Sequence, residues 1–154
     1  MSISIKTVNL LLKKNLSIAV AESCTGGLIA NSITKNNGVS KIFSCGIICY
    51  SNRAKIKYLS VSKKTLSKYG AVSKNVAEEM IDNLYKNEKT KICVSTTGVA
   101  GPTGGTNLKP VGLVYIGIKY KKVNLIIKKY FKGNRKEIQR KTTNYVFRKL
   151  SQLV

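Results

Sequence analysis

The stretch SIAVAESCTGG, residues 17–27, carries the pattern that indicates the fold. Residues 17–21 are small or apolar and predict a short buried strand. Two glycines then lead into residues 28–35, whose apolar spacing predicts a helix that ends near Asn36. A buried strand that passes through a tight turn into a helix is the repeating unit of α/β proteins.

The rest of the chain continues this alternation of strands and helices. Further strands are predicted at residues 43–50, 92–96, 111–120 and 123–130, the last two as a hairpin about Lys121-Lys122. Helices are predicted at the start of the chain (Ile5, Val8, Leu11 and Leu12 on one face), after the N-caps Ser51, Ser62 and Ser73, and from Gly133-Asn134 onward. The pattern predicts an α/β fold, a three-layer α/β/α sandwich. Its five-stranded mixed sheet should be mainly parallel, with one antiparallel neighbour from the hairpin.

Length and composition narrow the class of protein. At 154 residues, 43% of them hydrophobic, the chain suits one domain, residues 1–154. It shows no signal peptide and no apolar run near the roughly 20 residues that span a bilayer, so we expect a cytoplasmic protein without a membrane partner. The four cysteines should be reduced. Since the chain has no histidine and no CxxC motif, we expect no metal site. We also expect no cofactor.

The formal net charge of +22, from 28 basic and 6 acidic residues, is the most unusual feature of the composition. Taken alone, it indicates attraction to nucleic acid or another polyanion. However, only four basic residues are arginines, the lysines are scattered, and no basic tail is present. We interpret the charge as a solvated lysine surface without specific nucleic-acid binding. A nucleic-acid-binding protein stays open as an alternative.

Three unusual loops follow the first three predicted strands. They are ESCTGG at residues 22–27, YSNRAK at residues 50–55 and TTGVAGPTGG at residues 96–105. In open α/β sheets, ligands bind beyond the carboxyl ends of the parallel strands. We therefore expect the functional site where these loops meet.

Ser23 has three candidate roles: a nucleophile, a helix cap that starts the following helix, or part of a phosphate-binding turn. A nucleophilic serine needs a base, and a Ser-His-Asp triad is impossible without histidine. Lys55 is a candidate base, because a helix N-terminus and burial in a cleft would lower its pKa. Tyr50, at the end of the strand, would relay a proton or hold the oxyanion. Cys24 stays open as an alternative nucleophile.

Four motifs occur in a fixed order: AESCTGG at residues 21–27, YSNRAK at 50–55, GAVS at 70–73 and TTGVAGPTGG…KPVG at 96–112. Over nearly the whole chain they resemble the C-terminal domain of the competence/damage-inducible protein CinA, which also occurs as a stand-alone nicotinamide-nucleotide amidohydrolase. The resemblance implies a three-layer α/β/α sandwich, a homodimer, and hydrolysis of nicotinamide mononucleotide to nicotinate mononucleotide and ammonia. Long forms of the family carry a further nucleotide-hydrolysing domain, whose activity we expect to be absent here.

The resemblance also implies roles for particular residues. It places the nucleophile at Ser23, with Tyr50 and Lys55 assisting, and it places an arginine of the last helix at Arg140, with Arg135 as the competitor. The expected substrate-binding residues are Thr25, Gly26, Gly27, Thr97, Gly98, Gly101, Gly104, Gly105 and Arg140. Backbone N–H groups of the glycine-rich loops would bind the oxyanion and the 5′-phosphate, with Lys109 as a further source of charge. A nucleotide-binding protein of the same fold without turnover stays open as an alternative.

Overall fold

The computed structural model describes residues 1–154 and contains six α-helices and five strands. The helices are α1 (Ile3–Lys13), α2 (Leu28–Thr34), α3 (Asn52–Leu59), α4 (Lys63–Tyr69), α5 (Lys74–Glu88) and α6 (Arg135–Leu153). The strands are β1 (Ile18–Glu22), β2 (Phe43–Ile48), β3 (Ile92–Gly98), β4 (Leu113–Tyr120) and β5 (Val123–Tyr130). A short 3-10 helix, Val39–Lys41, precedes β2.

The five strands form one sheet in the order β2-β1-β3-β4-β5. β1 pairs in parallel with both β2 and β3, whereas β4 is antiparallel to β3 and to β5. Four strands therefore run in one direction and β4 runs in the other, so the predicted mixed, mainly parallel sheet is confirmed. The tight turn at Lys121, where φ is 53°, joins β4 and β5 into the predicted hairpin.

The carboxyl ends of β2 and β3 each differ from the prediction by two residues. β2 ends at Ile48, and the N–H of Cys49 then bonds to the carbonyl of Glu22 at 2.9 Å. β3 continues to Gly98, because its last two residues pair with Tyr115 and Val114 of β4. The pairing partner of a strand lies far away in the sequence, so the local pattern does not reveal this extension.

The two faces of the sheet are covered by different helices. On one face, α1, α2 and α6 enclose a core that includes Ile18 and Val20 of β1. On the other face, α3, α4 and α5 pack over Ala19 and Ala21 of the same strand. Successive side chains of a strand point to opposite faces, so β1 is buried at every position. None of the helices is long and apolar enough to cross a membrane.

The predicted caps are found at four helices. Ser51, Ser62 and Ser73 each accept a hydrogen bond from the backbone N–H three residues further along, at the starts of α3, α4 and α5. Asn134 caps α6, and Glu137 completes a capping box there. These caps are local, which is why the sequence pattern predicts them.

The positive charge is not confined to one face of the molecule. Basic residues lie in α1 and α6 of one helical layer, in α3, α4 and α5 of the other, and in β5. The chain has a single salt bridge, between Lys119 and Asp82 at 3.1 Å, and several lysines instead cover tyrosine rings, as Lys129 covers Tyr145. This distribution favours a solvated surface, since it offers no single basic face for a nucleic acid to follow.

Candidate active site

Ser23 and Lys55 meet beyond the carboxyl ends of β1 and β2. Ser23 directly follows β1, and Lys55 lies in α3, the helix that follows β2. The Nζ atom of Lys55 is 2.9 Å from the Oγ atom of Ser23. The structure thus brings together a hydroxyl and an amine that the sequence analysis named separately, at the edge of the sheet where ligands are expected.

The Nζ of Lys55 has three hydrogen-bond partners. Besides the Ser23 hydroxyl, it lies 3.0 Å from the carbonyl oxygen of Cys49 and 3.2 Å from that of Tyr50. Carbonyl oxygens only accept hydrogen bonds, whereas a hydroxyl can accept or donate. A neutral amine can therefore donate to both carbonyls and accept the Ser23 proton with its lone pair. Of the three neighbours, only Ser23 can give Lys55 a proton.

The surroundings of Lys55 favour the neutral amine. Its side chain is 1% exposed. Burial lowers the pKa of Lys55 from its ordinary value, because desolvation penalises the charged form. The N-terminus of α3, which Ser51 caps, adds a positive potential that acts in the same direction. A larger neutral fraction at a given pH is what a general base requires.

Glu22, the last residue of β1, organises the turn that carries Ser23. Its buried carboxylate accepts hydrogen bonds from the hydroxyl of Thr25 and from the backbone N–H groups of Gly27, Ile29 and Ala30, at 2.6 to 3.1 Å. It satisfies N–H groups at the start of α2, where the N-cap residue Gly27 has a φ of 95° and no side chain. The sequence analysis missed this role, because Glu22 precedes α2 by several residues and forms no recognised capping pattern.

Of the candidate roles of Ser23, that of a cap that starts α2 is therefore wrong. The side chains of Glu22 and Ser23 leave the strand on opposite faces, so only Glu22 faces α2 while Ser23 faces α3. The N–H of Gly26 bonds to the Ser23 carbonyl at 3.1 Å, and that of Gly27 bonds to Glu22. The N–H groups of both glycines are thus already used within the turn.

Two other backbone N–H groups beside Ser23 remain free. Those of Cys24 and Thr25 donate to no acceptor in the protein. The side-chain amide of Gln139, in α6, donates to the carbonyl of Cys24 at 2.9 Å. The C=O and N–H of a trans peptide point in opposite directions, so this bond directs the Thr25 N–H away from α6 and towards the layer that contains Lys55. The sequence analysis missed Gln139, since no local signal relates it to the turn.

Cys24 is poorly suited to nucleophilic attack, although it adjoins Ser23. Its side chain is 4% exposed, and burial raises the pKa of its thiol to about 12. The thiolate is the reactive form of cysteine. Because the thiol stays protonated near neutral pH, the structure favours Ser23 over Cys24.

The hydroxyls of Thr25 and Thr97 are engaged in contacts within the protein. Thr25 bonds to Glu22, and its Oγ1 lies 2.8 Å from that of Thr96. Thr97 donates to the carbonyl of Ala71 at 2.8 Å. Both side chains are buried. They hold the Ser23 turn and the segment at residues 70–73 in place.

The loop that follows Gly98 is rich in free backbone donors. The N–H groups of Gly101, Thr103, Gly104 and Gly105 donate to no acceptor in the protein. Gly101 has a φ of 75°, and a Cβ at this position would lie 2.5 Å from a methyl carbon of Val111. Successive unpaired N–H groups in such a loop suit an anion.

Arg135 joins this loop to the end of β2. Its Nη1 donates to the carbonyl of Gly101 at 2.8 Å, and its Nη2 donates to the hydroxyl of Tyr50. Tyr50 is 55% exposed and its hydroxyl contacts neither Ser23 nor Lys55. The structure therefore places the Tyr50 side chain at the rim of the site beside Arg135, while only its backbone carbonyl contacts Lys55.

Arg140 and Lys109 lie elsewhere. Arg140 lines a separate cavity with Ser32, and the Nζ of Lys109 donates to the carbonyl of Tyr69 at the end of α4. Positions five apart on a helix differ by about 140° around its axis, so Arg135 and Arg140 face different directions. Of the two arginines, Arg135 is the one that adjoins Tyr50 and the glycine-rich loop.

The largest cavity, of about 600 Å³, is lined by Arg135 of this rim but by neither Ser23 nor Lys55. Its lining residues are Ala100, Pro102, Val111, Gly133, Asn134, Arg135 and Lys136. None of these residues is a buried nucleophile or base. The contact between Ser23 and Lys55 lies outside this cavity.

Curated proteins of related sequence are longer than this chain. A CinA-like protein of Kosmotoga olearia is 51% identical over 138 residues, which cover 90% of this chain and 34% of that protein. A CinA-like protein of Fusobacterium nucleatum is 53% identical over 129 residues, which cover 84% of this chain and 31% of that protein. The chain thus spans about a third of the length of these relatives.

Solved structures show the same fold. The competence/damage inducible protein CihA from Agrobacterium tumefaciens is 34% identical, with a TM-score of 0.92 over 98% of this chain and 93% of that chain. A CinA superfamily protein from Escherichia coli is 29% identical, with a TM-score of 0.92 over 99% of this chain and 88% of that chain. The family model of the CinA C-terminal domain matches residues 2–154. With these relatives and this fold, the chain belongs to the CinA C-terminal domain family.

Proposed function

We propose that the chain is an amide hydrolase that converts nicotinamide mononucleotide to nicotinate mononucleotide and ammonia, with Ser23 as the nucleophile. The observation that carries the proposal is the 2.9 Å contact between the Ser23 hydroxyl and the amine of the buried Lys55. The motif resemblance to nicotinamide-nucleotide amidohydrolases supports the choice of substrate.

In the first half of the reaction, Oγ of Ser23 attacks the carboxamide carbon while neutral Lys55 takes the hydroxyl proton. The carbonyl oxygen becomes an oxyanion, and the free N–H groups of Cys24 and Thr25, the two residues that follow the nucleophile, are its proposed backbone donors. The protonated Lys55 then gives its proton to the amide nitrogen. The C–N bond breaks, ammonia leaves, and the acyl group remains as an ester on Ser23.

In the second half, a water molecule attacks the ester carbon while Lys55, neutral again, takes a proton from that water. The second tetrahedral oxyanion accepts from the same backbone donors. When the bond from the acyl carbon to Oγ breaks, Lys55 returns its proton to Ser23. Nicotinate mononucleotide is released and the free enzyme is restored, so one water is consumed and one ammonia is formed.

The rim of the site supports a substrate with a phosphate. Arg135 uses two of the five N–H groups of a guanidinium on Gly101 and Tyr50, which leaves the others for an anion. The free N–H groups from Gly101 to Gly105 adjoin it. We assign the 5′-phosphate to this rim and the carboxamide to Ser23. The homodimer that the resemblance implies stays a prediction.

The test is an ammonia-release assay on the purified chain with nicotinamide mononucleotide, and with nicotinamide as the substrate control. We expect release from the mononucleotide, none from Ser23→Ala, and substantial release from the matched neighbour Cys24→Ala. Mass spectrometry of quenched wild-type enzyme should detect the acyl ester. Saturable binding of the mononucleotide without ammonia release would replace the hydrolase with a nucleotide-binding protein. Activity in Ser23→Ala but not in Cys24→Ala would overturn the assignment of the nucleophile.

A further inference from the structure

Two successive threonines near the end of β3 point their side chains to opposite faces of the sheet. Thr97 donates to the carbonyl of Ala71, which lies in the layer that contains α5. The Oγ1 atom of Thr96 lies 2.8 Å from that of Thr25, in the turn that leads from Ser23 into α2. The family resemblance implied a role for Thr97 only, and the proposed reaction does not use Thr96.

The hydroxyl of Thr96 is the donor in its contact with Thr25. A hydroxyl has one proton, and Thr25 donates its own to the carboxylate of Glu22 at 2.6 Å. The oxygen of Thr25 is therefore the acceptor of the proton from Thr96. The result is a chain of hydrogen bonds in which Thr96 donates to Thr25 and Thr25 donates to Glu22. The side chain of Thr25 cannot turn without breaking both bonds.

Thr96 attaches this chain of hydrogen bonds to the centre of the sheet. β3 lies between β1 and β4, and Thr96 is aligned with Glu22 on one side and with Ile116 on the other. Its side chain is fully buried. Its carbonyl also accepts from the N–H of Ser23 at 3.0 Å. Thr96 thus holds the turn at two points, through its backbone at Ser23 and through its hydroxyl at Thr25.

The strand itself does not require a hydroxyl at this position. Valine has nearly the same shape as threonine, suits a β-strand, and needs no hydrogen-bond partner when it is buried. A buried hydroxyl loses its bonds to water and has to replace them inside the protein. Because Thr96 replaces them by donating to Thr25, its hydroxyl acts on the turn that carries the nucleophile.

The peptide between Cys24 and Thr25 carries one of the two N–H groups proposed for the oxyanion. Gln139 holds the carbonyl end of this peptide from α6. Thr96 and Glu22 hold its other end, because they fix the side chain of the residue that carries the N–H. A peptide held at both ends keeps its N–H in one direction. A preorganised donor stabilises an oxyanion more than a donor that has to reorient.

We propose that Thr96 is a positioning residue that fixes the Thr25 N–H for the oxyanion, a role that rests on the proposed hydrolase reaction. Thr96 acts through Thr25 and not on the substrate. The contact between Ser23 and Lys55 lies on the opposite face of the sheet and does not depend on the Thr96 hydroxyl. The loss of this hydroxyl should therefore weaken the stabilisation of the transition state and not the binding of the mononucleotide.

The experiment is steady-state ammonia release from nicotinamide mononucleotide by variants of the whole chain. Thr96→Val should lower kcat about ten-fold or more with KM nearly unchanged. Thr96→Ser keeps the hydroxyl and should recover most of the rate. The matched control is Ser95→Ala, which removes a fully buried hydroxyl of the same strand that donates to Ala77 on the opposite face. It should leave kcat unchanged, although urea denaturation should show a loss of stability in Thr96→Val and Ser95→Ala alike.

A double-mutant cycle tests whether Thr96 acts through Thr25. Thr25→Val removes the acceptor of the Thr96 hydroxyl. In that background, Thr96→Val should lower kcat no further, whereas independent effects would multiply. An equal fall of kcat in Thr96→Val and Ser95→Ala would show a purely structural role and overturn the proposal. A rise of KM in Thr96→Val without a fall of kcat would overturn it as well.

A fluorophosphonate reagent makes the test independent of the substrate. Oγ of Ser23 bonds to phosphorus, Lys55 takes the hydroxyl proton, fluoride leaves, and the phosphonyl oxygen occupies the position of the oxyanion. If the wild type releases no ammonia, the proposed function fails, and the rate of Ser23 modification, measured by mass spectrometry, decides the role of Thr96. This rate should fall in Thr96→Val but not in Ser95→Ala. Equal rates in the wild type and both variants, or no modification of the wild type, would overturn the proposal.

Discussion

The amine of Lys55 and the hydroxyl of Ser23 lie 2.9 Å apart, although 32 residues separate them in the sequence. The parallel pairing of β1 with β2 creates this contact. Glu22 at the end of β1 is aligned with Ile48 at the end of β2, so the residues that follow both strands emerge side by side. The first turn of α3 then directs Lys55 back over the end of the sheet.

The contact makes a prediction about the dependence of the rate on pH. Burial lowers the pKa of Lys55 from its ordinary value of 10.5. The base must be neutral, so kcat/KM should rise with pH and level off above the lowered pKa of Lys55. Lys55→Met keeps most of the side-chain volume and removes the base. We expect kcat/KM to fall about a hundred-fold or more and its rise with pH to disappear. If the rise of kcat/KM with pH survives in Lys55→Met but disappears in Tyr50→Phe, the titrating group is instead the phenol of Tyr50.

The position of Arg135 predicts different effects for two arginine substitutions in α6. Arg135→Gln should raise KM for nicotinamide mononucleotide about ten-fold or more while kcat changes little, because a contact with the phosphate is lost in ground state and transition state alike. Arg140→Gln removes the same charge from the same helix and should leave KM unchanged. Steady-state kinetics at fixed ionic strength measure both. The opposite ranking would assign the substrate phosphate to Arg140.

The contact between Gln139 and the Cys24 carbonyl predicts a positioning effect. Gln139→Leu removes the hydrogen bond that holds the peptide between Cys24 and Thr25. Because the proposed role of this peptide is to donate to the oxyanion, kcat should fall about ten-fold or more while KM stays nearly unchanged. Gln139→Lys keeps an N–H donor and should recover much of the rate. Gln152→Leu, near the exposed end of α6, is the matched control. An equal rise of KM and fall of kcat in Gln139→Leu would argue against this role.

The contacts of Glu22 predict an effect on stability that needs no substrate. Glu22→Ala leaves three N–H groups of the α2 start, one buried and two part-buried, without an acceptor. The free energy of unfolding should fall by about 3 kcal/mol, as expected when bonds to a buried charge are lost. Glu78→Ala is the control, because Glu78 is only partly buried and accepts no hydrogen bond. Urea denaturation measures both, and equal losses would refute the capping role.

Local patterns predicted most of the fold. The apolar spacing of residues 17–21, the serines at positions 51, 62 and 73, and the two lysines of the hairpin each act through neighbours within a few residues. The meeting of the loops that follow β1 and β2 could be expected as well, because the carboxyl ends of parallel strands lie at one edge of the sheet. Ser23 and Lys55 could be named from their place after β1 and β2 before their contact was known.

The amino-acid sequence alone determined the α/β fold class and the pair of motifs from which the site is built. Only the tertiary structure decided that Glu22 and not Ser23 stabilises the start of α2, that Gln139 reaches the Ser23 turn, and that Arg135 and not Arg140 adjoins Tyr50. Periodicity and capping depend on residues within a turn of one another. These contacts join residues as many as 115 positions apart, so they exist only once strand order and the face of each helix are set.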